Sequence, residues 1–129
     1  MSTLSVATIK SASSAAPVFQ NSSGTEKGQL AKSWINFNGT GTVAIRDSFN
    51  VSSLTDNGTG NYTVSFSTAM ANTNYAPLTT GHIFDDQNPE NVRDMGAIDL
   101  TTSSYRYCAG YTTGSLQDSE NCFGAVFGD

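Results

Sequence analysis

Charge is what this sequence has least of. Only 13% of its 129 residues are Asp, Glu, Lys or Arg, against about 25% in an ordinary soluble domain. Basic residues are scarcest, six Lys and Arg against eleven Asp and Glu, for a net charge of −5. A phosphate backbone needs clustered Lys and Arg, so nucleic acid is excluded as an expected partner, and an anionic membrane surface with it. Long apolar runs are missing as well. No stretch approaches the roughly 20 residues that span a bilayer, and Met1–Val6 lacks the basic segment and apolar run of a secretory signal. There is one histidine, His82. With no nucleophile motif beside it, it reads as a loop or strand-end residue rather than a member of a triad. Two cysteines, Cys108 and Cys122, are too few for a disulfide framework or for a zinc site on one chain. One face of a C-terminal hairpin could bring them together, but free thiols are the preferred reading for assembly in a reducing cytoplasm.

Ser, Thr, Asn and Gly fill the space that charge leaves. These residues stabilise turns and interrupt helices, so short strands with tight connections are expected. Sequons at Asn21, Asn38, Asn50, Asn57 and Asn61 are read as a by-product of this composition.

Two regions differ in pattern. Residues 1–29 are predicted to be an extended arm. Leu4–Ile9 could form one short strand, and Ser11–Pro17 is too small and polar to bury itself. Such a segment does not offset its own ordering entropy as a lone unit. It is either a disordered arm or one ordered against copies of itself or a partner. Its isolated apolar residues Leu4, Val6, Ile9, Val18 and Phe19 favour the second, as a trimerisation or attachment arm.

Residues 30–129 read as strand after strand. Trp34–Phe37 leads into Asn38-Gly39, a hairpin turn signal tolerant of φ > 0, and Thr42–Arg46 returns as its partner. Trp34 and Phe37 lie on opposite faces, so one of the two belongs to the core. Arg46-Asp47-Ser48 predicts a bend or bulge, after which Phe49 and Val51 are expected to share a face. Tyr62, Val64 and Phe66 alternate with Thr63 and Ser65, the pattern of a half-buried antiparallel strand. Pro77 places the strand from Tyr75 to Phe84 at an edge, or itself at a strand start. Met95–Leu100, Tyr105–Tyr111 and Cys122–Phe127 supply three more strands. No window sustains a helical period. The fold class is all-β: an antiparallel β-sandwich or small barrel of seven or eight strands behind an extended arm, expected to be homotrimeric.

Candidate chemistry is sparse. Asp85, Asp86, Glu90 and Asp94 could supply paired carboxylates or calcium ligands, but no motif spacing supports either. No metal, cofactor or catalytic residue is therefore assigned, and the chain is not expected to be an enzyme. The polar loop Asp85, Asp86, Gln87, Asn88, Glu90 and Asn91 is the candidate receptor-contact loop. Tyr105, Tyr107 and Tyr111 would share one strand face, where tyrosines serve a core or subunit interface more often than a sugar platform. Gly39-Thr40-Gly41 and Asn57–Gly60 are turns rather than phosphate loops, since no lysine or helix follows.

Lys32–Ser53, continuing through Leu54–Val64, Phe66 and Thr68-Ala69-Met70, resembles a structural module abundant in bacteriophages of marine and freshwater bacteria, cyanophages especially. Ile9–Ala12 and Pro17–Gly24 look like its lead-in, and Val126–Asp129 like its end. The resemblance implies a tail-fibre-like virion protein, assembled in the host cytoplasm and carried on the particle. Its expected partners are further copies of itself in a homotrimer, other tail or capsid proteins, and a host surface glycan or protein. A capsid decoration (cement) protein and a carbohydrate-binding module are the alternative expectations.

Overall fold

The computed structural model describes residues 5–9, 19–82, 93–111 and 114–128. By its contacts the chain divides into two units, Met1–Leu30 and Ala31–Asp129.

The first unit contains a small hairpin of β1 (Phe19–Gln20) and β2 (Glu26–Gly28), paired antiparallel. Asn21 organises its turn. The Asn21 carboxamide oxygen accepts from Ser23 N at 3.2 Å and Thr25 N at 2.8 Å, while Gly24 takes φ 78°. The strand expected over Leu4–Ile9 does not form where the segment is described: Ser5–Ile9 is irregular and exposed. Backbone in a strand must find a ladder partner, and this stretch has no named pairing.

The second unit is all antiparallel β, with no helix among the described residues. Its strands are β3 (Ser33–Asn38), β4 (Ala44–Phe49), β5 (Val51–Asp56), β6 (Asn61–Phe66), β7 (Ala76–His82), β8 (Arg93–Ile98), β9 (Ser104–Tyr111) and β10 (Asn121–Phe127). They form two four-stranded sheets, A in the order β4-β3-β10-β7 and B in the order β5-β6-β9-β8. The chain changes sheet between β4 and β5, β6 and β7, β7 and β8, and β9 and β10, giving a sandwich.

Strict alternation builds the core. Ile35 and Phe37 of β3 and Cys122 and Val126 of β10 face Tyr62, Val64 and Phe66 of β6 and Tyr105, Tyr107 and Ala109 of β9. Phe37 is the centre of an aromatic cluster. Its ring lies 5.1 Å from Tyr62 and 5.1 Å from Tyr107, both edge-to-face, the geometry favoured by the ring quadrupole. Phe66 stands edge-to-face on Tyr75 at 5.6 Å. The choice left open at β3 is settled: Phe37 is 0% exposed and Trp34 38%.

The β3–β4 hairpin has the expected bulge. Asn36 pairs with Asp47 and Phe37 with Ile45, so Arg46 is the extra residue. Its guanidinium donates to Phe37 O at 3.0 Å and Glu120 O at 2.8 Å, fixing the bulge to β3 and to the connection that precedes β10. The turn differs in detail from its sequence reading. The positive φ falls on Gly41, at 59°, rather than on Asn38-Gly39. Asn38 instead closes a longer loop through its side chain, donating to Thr40 O at 2.7 Å.

Phe49 and Val51 do not share a face. Asn50 between them takes φ 55°, and the chain turns there from sheet A into sheet B. Phe49 is left exposed while Val51 packs on the core. The Asn50 side chain stitches the corner: Oδ1 accepts from Thr68 N at 2.7 Å, and Nδ2 donates to Lys32 O at 3.0 Å. Pro77 sits near the start of β7, an edge strand of sheet A. There its missing N–H costs no central ladder bond.

Candidate interaction surface

The buried polar groups make a neutral interior. The hydroxyls of Tyr62 and Tyr107 lie 2.8 Å from Gly39 O and 2.7 Å from Thr80 O respectively, and that of Tyr75 lies 2.8 Å from Thr101 O. Burial pushes all three phenols, and that of Tyr105, above their ordinary pKa; a hydrogen bond from Tyr62 to Asp118 pushes the same way. Burial also raises both thiols. Tyr105 and Tyr107 are therefore core residues, not a sugar platform. Cys108 and Cys122 do not share a hairpin face: β9 and β10 belong to different sheets, and both thiols are free.

The two outer sheet faces contrast. Sheet B presents cross-strand rows of Thr55, Thr63, Arg106 and Ile98, and of Ser53, Ser65 and Ser104. Arg106 is satisfied there, at 2.7 Å from Asp99 Oδ2 and 3.1 Å from Asn61 Oδ1. This face is built for water.

Sheet A is not. Register places Phe49, Trp34, Ala125 and Leu78 in one row across all four strands. The adjoining row is Asp47, Asn36, Phe123 and Thr80. Phe49 is 54% exposed, Leu78 61% and Phe123 38%. Between β10 and β7 the face dips into a shallow, mostly apolar depression of about 210 Å³, lined by Leu78, Thr79, Thr80, Phe123, Gly124 and Ala125. A contiguous apolar stripe rimmed by Asn36, Asp47 and Thr80 is the composition of a contact surface.

None of the described residues singled out from the sequence as site residues belongs to these rows. Asp85, Asp86, Gln87, Asn88, Glu90 and Asn91 lie outside the described residues, as do Leu4 and Val18. Val6, Ile9 and Phe19 are exposed in the first unit. Asp94 is exposed on β8, and His82 ends β7. Phe49, Trp34, Leu78 and Phe123 were not singled out as one surface, although a signal existed. In β3 and β10 both alternation phases carry apolar side chains, the mark of strands covered on both faces.

Comparison of the chain with protein-family models, with curated proteins and with solved structures gives no match in any of the three.

Proposed function

We propose that the chain is a bacteriophage virion structural protein, a tail-fibre-like appendage subunit that contributes to recognition of the host surface. The observation that carries this reading is the outer face of sheet A, where Phe49, Trp34, Leu78 and Phe123 stand exposed in register. A face of that kind serves contact with another macromolecule rather than with solvent. The resemblance of residues 32–70 to a phage structural module supplies the setting. In this reading the protein acts by binding alone, without catalysis or cofactor. Its partners are its own copies in a homotrimer, other virion proteins, and a host surface glycan or protein. Residues 1–29 serve as the trimerisation or attachment arm.

Purified particles imaged with gold-labelled antibody against the chain test this. Label on the tail or projecting fibres is the expected result. Label spread over the capsid would replace the appendage with a decoration protein, and no label despite a positive blot would remove the surface role. A carbohydrate-binding module is the second reading. It is favoured by Trp34, an exposed indole flanked by Asn36 and Asp47, since aromatic stacking beside hydrogen-bonding groups suits a sugar ring.

A further inference from the structure

We propose that the outer face of sheet A is where the second unit of one copy packs on that of the next, Trp34 of one seating in the depression beside Ala125 of its neighbour. The proposal rests on the reading of the chain as a self-assembling subunit and names a surface of the second unit that takes part in it.

The face is self-complementary in halves. Its β4–β3 half carries two bulky residues, Phe49 and Trp34, on adjacent strands. Its β10–β7 half carries the depression of about 210 Å³, lined by the bulky Leu78 and Phe123 with the small Ala125 between the strands' larger side chains. An exposed indole edge on one half thus has a receptacle on the other. Pairing unlike halves of successive copies is a heterologous contact, which makes a ring where the rotation between copies closes, at three copies in the proposed assembly.

Area supports the same occupant. At about 200 Å² for a fully exposed side chain of this size, Trp34, Phe49, Leu78 and Phe123 offer about 400 Å² of apolar surface between them. That is about half of the roughly 800 Å² per partner in a stable interface. Asn36, Asp47 and Thr80 supply the polar rim that surrounds such a centre. Sheet B offers no comparable row among its described residues, so the asymmetry of the sandwich selects the face. Edge-to-edge strand pairing is the competing mode. The Arg46 bulge in edge strand β4 works against it at that edge of sheet A.

Trp34 is the sole tryptophan of the chain, so its fluorescence reports this contact alone. The full chain is studied by sedimentation velocity and tryptophan emission across a dilution series. Oligomer at high concentration, with emission shifting to the red as it dissociates, is the expected result. Trp34→Ala and Ala125→Trp, one removing the knob and one filling the hole, should each weaken assembly about 30-fold or more, the size of an interface hot spot. Thr63→Ala on the outer face of sheet B should leave assembly unchanged. Urea midpoints establish that every variant folds. Variants that assemble like the parent chain would overturn this interface and leave the appendage reading standing. A parent chain that stays monomeric at every concentration would overturn both the interface and the homotrimer. Monomer whose Trp34 emission shifts on adding a neutral soluble polysaccharide would give the face to a sugar instead.

Discussion

Gly124 stands on the inward phase of β10, where a side chain would have no room. A β-carbon there would lie 2.5 Å from Tyr105 Oη and 3.3 Å from Ile35 Cγ2. Both neighbours belong to the core, so neither yields freely. Gly124→Ala should destabilise the fold by about 1–3 kcal/mol, read as a lower urea midpoint at unchanged slope. Gly96 on β8 is the control, since a β-carbon there meets nothing within 4 Å. Gly96→Ala should shift stability by no more than about 0.5 kcal/mol. Tyr107 gives a different test on the same scale. Its hydroxyl donates to Thr80 O at 2.7 Å across the sandwich, so Tyr107→Phe should cost about 1 kcal/mol while leaving the ring contact with Phe37 in place.

Among the elements, β6 and β9 were the most legible. Each carries apolar side chains on one phase and polar ones on the other, and the sandwich buries the apolar phase of both. Legibility failed where backbone, rather than pattern, makes the decision. Phe49 and Val51 keep the spacing of a shared face, but a left-handed residue between them throws the chain into the other sheet. Nothing in the spacing records that turn; Asn is merely one of the few residues that takes it at small cost. Asn50→Gly keeps the backbone conformation and loses the side-chain bonds to Lys32 and Thr68. A loss of about 1–2 kcal/mol is expected. Asn50→Ala loses the same bonds and adds left-handed strain, so it should be worse by a further ~1 kcal/mol. The reverse order in chemical unfolding would mean that the corner rests on something other than Asn50. The candidate surface was harder to read than the strands because it depends on register. Phe49, Trp34, Ala125 and Leu78 come from four strands and meet only when the ladders are aligned. Apolar residues on both phases of β3 and β10 mark a second apolar face, but not which side chains lie together on it.

For the whole molecule, the buried phenols set the behaviour in alkali. Tyr62, Tyr75, Tyr105 and Tyr107 all have their pKa raised in the folded state, first of all by burial. In the unfolded chain they ionise near pH 10. Below that pH both states hold the protons, and the stability these groups contribute is fully present. Above it the unfolded state alone sheds protons, and stability falls until the folded pKa is reached. Unfolding free energy should therefore be flat in this respect up to about pH 9.5, then drop by up to ~1.4 kcal/mol per pH unit for each of these phenols. Absorbance at the tyrosinate band should rise together with loss of β circular dichroism. A tyrosinate signal worth more than one of the five tyrosines that grows while the fold persists would show these phenols to be open to solvent.

Strand β10 lies in the middle of sheet A, hydrogen-bonded to β3 on one side and β7 on the other, although it comes after both in the chain. During synthesis the sandwich therefore waits. Until β10 leaves the ribosome, β3 and β7 are two open edges with no strand between them, and the inward faces of Ile35 and Phe37 lack Cys122 and Val126. A chain cut short within β10 therefore cannot close this sheet. Such products remain exposed to proteolysis. The chains that survive are then those translated through β10.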